Sequence, residues 1–107
     1  MPEESGQHPL NPRSQLYGHR LGDAVGLQRL GVAQLRIPPG KESFILHTHA
    51  CEEEWLYVLS GRARVQLDDD FYDIGPGDFV GFPTPSVAHH LTNPFAEDFV
   101  YLAGGER

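Results

Sequence analysis

Basic side chains are scarce in this chain, with 8 lysines and arginines against 15 acidic residues, and nowhere do they cluster. A formal charge of −7 without a cationic stripe excludes the electrostatic footprint of a nucleic-acid binder, so no nucleic-acid partner is expected. No apolar run approaches the roughly 20 residues of a membrane span. The opening stretch "MPEESGQHPLNPRSQ" begins acidic and lacks the apolar centre of a secretory leader, so the expectation is a soluble cytoplasmic protein with no membrane partner. Cys51 is the only cysteine, which forbids an internal disulfide and fits a reducing compartment. Long helical stripes are missing too.

Glycine and proline, by contrast, are abundant at 12 and 9. They break the sequence into short apolar runs separated by turn signals about every 8 to 12 residues, the pattern of an all-β sandwich or barrel. At 107 residues one domain is expected. Residues 1–15, with Pro2, Pro9 and Pro12 and no apolar periodicity, are assigned to a flexible or loosely docked N-terminal arm, and residues 16–107 to a single barrel domain. Lys41 to Ser60 is free of glycine and proline, but its apolar residues form two blocks, Phe44 to Leu46 and Trp55 to Leu59, split by Glu52, Glu53 and Glu54. No continuous stripe of period 3.6 results, so two strands joined by a turn are expected there. The run from Arg62 to Leu67 alternates most clearly, with Ala63, Val65 and Leu67 on one face and Arg62, Arg64 and Gln66 on the other.

The densest chemistry lies in "HTHACEEEW", residues 47 to 55. On a strand, residues two apart share a face, so His47 and His49 would present both imidazoles to the same side. A carboxylate from Glu52, Glu53 or Glu54 on the returning strand would then complete a mixed nitrogen and oxygen site. Taken alone, such a pair of histidines is more often hydrogen-bonded surface, and three acids in a turn are usually a solvated tip. Further along, "GPGDFVGFPTPSVAHHLTNP" brings His89 and His90 after a proline-bounded loop.

With both stretches in view, the chain resembles the cupin superfamily of small barrels. The first motif of that superfamily reads here as Gly40, "KESFIL", His47, Thr48, His49, "ACEE", Glu54, "WLYVLS", Gly61, with its first gap one residue longer than the family pattern. The second reads as Gly77, "DFVGF", Pro83, Thr84, Pro85, "SVA", His89, "HLT", Asn93, with Pro85 where the family has glycine and one extra residue before His89. The resemblance implies a double-stranded β-helix, or jelly-roll barrel. It also implies a ligand set of His47, His49, Glu54 and His89 for one divalent transition metal ion. Three imidazoles and a carboxylate suit Mn, Fe, Ni, Cu or Zn and leave open positions for a small-molecule ligand. A closed tetrahedral zinc site is the structural alternative.

The function so implied is that of a metal-dependent enzyme acting on a small polar chelating molecule, of the isomerase, dioxygenase, decarboxylase or lyase class. The alternative is a non-catalytic barrel that senses or stores a ligand or metal. An acid, base or phenol beside the metal would separate the two. Tyr17, Tyr57, Tyr72 and Tyr101 are possible phenols, though strand aromatics are more often simply packed, and Lys41 and Arg36 are possible anion contacts. The extra residue before His89 makes His90 a rival ligand through a one-residue slip, whereas the spacing to Asn93 selects His89. If Glu54 points inward, Leu56 and Val58 do too, leaving Trp55, Tyr57 and Leu59 outside; a homodimer is expected to cover them.

Overall fold

The computed structural model describes residues 3–6, 13–43, 53–83 and 88–106. His47, His49, Cys51 and Pro85 lie outside the described residues. The described elements are β1 (Glu4–Gly6), β2 (Leu16–His19), a short helix α1 (Leu21–Ala24), β3 (Leu30–Ile37), β4 (Glu54–Ser60), β5 (Ala63–Leu67), β6 (Asp70–Ile74), β7 (Phe79–Phe82), β8 (His89–Thr92) and β9 (Phe99–Glu106). Among the described residues no helix is long and apolar enough to cross a membrane.

The strands form two antiparallel sheets. One has six strands in the order β1-β2-β3-β9-β4-β7, and the other has three in the order β6-β5-β8. Strand alternation decides which side chains meet between them. From β4, Leu56 and Val58 turn inward and are buried, while Tyr57 and Leu59 turn outward and are exposed. From β5, Ala63 and Val65 are buried, in agreement with the alternation seen in the sequence. Ile37, Ile74, Leu91, Phe99 and Tyr101 complete the core with Phe82. Burying each such side chain contributes on the order of 1.5–3 kcal/mol, and together they hold the two sheets face to face.

The described residues of the N-terminal arm pair with the rest of the fold. Glu4, Ser5 and Gly6 pair with Gly18, Tyr17 and Leu16, and Ser14 is fully buried in a bridge to Glu42. Proline spacing concealed this, because a three-residue edge strand fits between Pro2 and Pro9. Helix α1 also had no sequence signal.

Two motif residues turn out to be structural. Gly61 has φ of 76°, and a Cβ there would collide with the Asp98 carbonyl, so only glycine fits that turn. Asn93 is 1% exposed, and its side-chain amide donates to the carbonyls of Ile37 at 2.9 Å and Glu97 at 2.7 Å while its oxygen accepts from the Phe95 amide at 3.1 Å. The turn 93–98 is thereby tied to the end of β3, and the Arg62 guanidinium covers its Phe95 ring at 4.5 Å.

Candidate metal centre

Glu54 opens β4, where its Cα partners are Phe82 in β7 and Gly105 in β9. It has the same parity as Leu56 and Val58, so its side chain enters the space between the sheets. Gly105 makes that possible: a Cβ there would stand 3.0 Å from Glu54 Cγ and 2.8 Å from the Glu53 carbonyl oxygen.

His89 reaches the same space from the other sheet. In the β5–β8 register Leu67 faces His89 and Val65 faces Leu91, so His89 shares the inner face of β5. His90 faces Gln66 instead, and its Nε2 lies 3.3 Å from the Ser43 carbonyl oxygen and 3.6 Å from Glu42 Oε1. The neighbouring histidines therefore have different surroundings. His89 Nε2 lies 3.5 Å from Glu54 Oε2, and the imidazole is stacked on Phe82 with centroids 4.0 Å apart and planes at 16°. Phe82 thus holds the ring plane while the strand register aims its nitrogen at the carboxylate.

These two groups open onto a cavity of about 400 Å³, within the range of small-ligand sites. Leu16, Leu35, Leu56, Leu91 and Ala103 give it an apolar wall, and Tyr101 adds a phenol. Burial pushes the Tyr101 hydroxyl well above its ordinary pKa, and the negative charge of Glu54 adds to the effect, so the phenol keeps its proton. Of the four tyrosines weighed from the sequence, Tyr72 and Tyr57 are exposed and Tyr17 stacks under Arg36; Tyr101 is the one in the cavity wall.

The donor chemistry fits a shared cation. Two metal bonds of about 2.0–2.2 Å at angles between 90° and 110° hold their donor atoms about 3.0–3.5 Å apart, and Glu54 and His89 stand at the wide end of that interval. Among the described residues no group of three or more His, Cys, Asp or Glu side chains gathers as a metal site. The expected partners His47 and His49 are outside that set.

Arg36 is not at the cavity. It pairs across β3 with Tyr17 and Val100, with its guanidinium bonded to Glu3 at 3.0 Å and near Asp98 at 3.5 Å. Lys41 is exposed and does not line the cavity either. Among the described residues, the lysine or arginine that does line it is Arg20, together with Asp23 and Glu106. No motif flagged Arg20, because its place depends on β2 running past the mouth of the cavity.

A family profile described as a cupin domain matches residues 33–104. Two of the solved structures that the chain resembles match nearly all of its length. A candidate sugar phosphate isomerase from Acidithiobacillus ferrooxidans is 46% identical with a TM-score of 0.95, covering 100% of this chain and 69% of that one. A sugar phosphate isomerase of the cupin superfamily from Silicibacter pomeroyi is 30% identical with a TM-score of 0.89, covering 96% and 68%. An uncharacterized protein of Methanocaldococcus jannaschii is 32% identical over 62 residues, 58% of this chain, and the matched stretch spans about half of that relative, 48%.

Proposed function

The chain belongs to the cupin-domain family, and on that premise we propose that it is a metal-dependent enzyme that isomerises a small sugar phosphate. The observation that carries this reading is the meeting of the Glu54 carboxylate and the His89 imidazole at 3.5 Å beside the protonated Tyr101 phenol. Similarity to one candidate and one named sugar phosphate isomerase supports the reaction class.

In this reading Glu54 and His89 hold one divalent transition metal ion together with His47 and His49. The bound ion supplies Lewis acidity to a substrate carbonyl and its neighbouring hydroxyl. Interconverting an aldose and a ketose moves one proton between adjacent carbons and another between their oxygens. Tyr101 is suited to the second transfer, because a phenol that stays protonated beside an anionic carboxylate can donate to an oxygen gaining charge. The apolar wall excludes water from the reacting carbons, and Phe82 keeps the His89 ring from rotating.

Metal analysis of protein purified without an affinity tag, followed by assay against a panel of aldose and ketose phosphates, tests this. One metal per chain and turnover lost in the His47→Ala, His49→Ala double variant are expected. Full metal content in that variant removes the proposed ligand set. Stoichiometric metal with no turnover of any member of the panel turns the reading into that of a non-catalytic binding barrel.

The working form is proposed to be a homodimer. Tyr57, Leu59 and Phe79 are exposed side by side on the outer face of the six-stranded sheet, and β1, the described start of the arm, lies at its opposite edge. Light scattering at micromolar concentration should give twice the chain mass; the mass of one chain refutes the dimer.

A further inference from the structure

Arg20 is the one lysine or arginine among the described residues lining the cavity, which otherwise carries the carboxylates of Asp23, Glu54 and Glu106. It follows β2 directly. Its guanidinium is occupied from within the chain: Nε donates to Glu4 Oε2 at 2.6 Å and Nη2 to Glu4 Oε1 at 2.9 Å, while Nη1 stands 3.7 Å from Asp23 Oδ2. Glu4 can reach it because β1 pairs antiparallel with β2, setting Glu4 opposite Gly18, two residues before Arg20.

This pairing has the form of an oxyanion receptor with a stand-in bound. The Nε and Nη2 edge of a guanidinium presents two parallel N–H groups, which recognise a carboxylate or a phosphate in the same two-pronged way. Here that edge is filled by a carboxylate on a three-residue edge strand. Both partners are well exposed, with side chains 66% and 53% accessible, so the pair contributes little to folding and little is lost when it opens. A phosphate monoester, carrying about −1.5 to −2 charges at pH 7, is a stronger partner for the guanidinium than the single charge of Glu4.

We propose that Arg20 is the phosphate-recognition residue of the cavity and that Glu4 is its built-in competitor, displaced when the phosphate of the ligand binds. This rests on the sugar phosphate reading for the identity of the ligand, but the anion site itself does not require turnover. Glu4 then acts as a selectivity filter. Neutral sugars and weakly charged acids do not displace it, whereas a phosphate does.

Titrating inorganic phosphate into the full-length chain after EDTA treatment, so that no metal takes the anion, reads the site directly. Arg20→Gln is expected to weaken binding about tenfold or more, as loss of a charge-assisted pair does. Arg20→Lys, which keeps the charge without the fork, should fall between. Glu4→Gln should tighten binding by up to about fivefold, the scale of an exposed ion pair. Wild-type thermal midpoints in all three variants control for folding. Equal phosphate affinity in Arg20→Gln and wild type overturns the proposal, and so does a Glu4→Gln variant that binds no more tightly than wild type. Failure of the functional reading looks different: Arg20-dependent phosphate binding without isomerisation of any sugar phosphate removes the enzyme and leaves the site. Isomerisation with a KM unchanged by Arg20→Gln does the reverse.

Discussion

Asn93 and His89 are four residues apart, belong to the same family motif, and are both buried, yet their surroundings differ in kind. The Asn93 side chain ends on backbone groups of Ile37, Glu97 and Phe95, each of which needs a partner once buried. His89 ends on another side chain, Glu54, in the wall of a cavity. A motif is therefore not a list of ligands. One of its polar residues closes the barrel by satisfying the backbone, and the other is left to face the cavity.

The sharpest way to break this contrast is Asn93→Ala. Two carbonyls and one amide lose their partners, at about 1 kcal/mol each, so stability should fall by about 3 kcal/mol and the thermal midpoint by roughly 10–20 °C. Metal bound per folded chain should stay the same. If the midpoint is unmoved, the turn 93–98 does not depend on that amide.

Tyr101→Phe asks the opposite question, since it keeps the ring packed against Phe99, 4.9 Å away, and removes only the hydroxyl. Under the proposed function kcat should fall about a hundredfold, the lower range for loss of a general acid, with metal content and midpoint little altered. An unchanged kcat assigns the phenol to packing.

His89→Ala should lower metal affinity by at least about tenfold, whereas His90→Ala should leave it nearly unchanged. The reverse result in a metal titration would transfer the role to His90. The smallest effect on metal is expected from Gly105→Ala, whose methyl meets the Glu53 carbonyl oxygen at 2.8 Å and Glu54 Cγ at 3.0 Å, so that the start of β4 must shift with the carboxylate. Displacing that carboxylate by a few tenths of an ångström should weaken metal binding by about two- to fivefold, on the scale of losing well under a full ligand. Unaltered affinity would mean that Glu54 has room to adjust.

Much of this was legible where side-chain alternation is strict. The inward Leu56 and Val58, the outward Tyr57 and Leu59, and the two faces of Ala63 to Leu67 follow from a period of two. The motif spacing to Asn93 points to His89 over its rival His90, and the β5–β8 register sets His89 on the face that meets Glu54, a placement that two adjacent histidines do not reveal by themselves. Arg20 and Glu4 were hidden for a similar reason. They are 16 residues apart, and only the pairing of a three-residue strand brings them together. Tyr101 was one phenol among four until strand order placed it between Leu35 and Val58 on the inner face.

The chain has a single tryptophan, and Trp55 directly follows Glu54. Its ring lies over Gly104, where a Cβ would collide with it, and stacks on Phe79 with centroids 6.1 Å apart. Strand alternation puts the indole on the far side of β4 from the carboxylate, one backbone step away. The protein thus carries its own fluorophore one residue from a proposed ion ligand, and Trp55 is among the residues that line the cavity. Trp55 emission should be quenched by an open-shell ion such as Cu(II) or Ni(II) arriving at Glu54, while filled-shell Zn(II) should leave it bright. A single fluorescence titration on the unlabelled chain can then report occupancy, and competition between the two kinds of ion can rank their affinities.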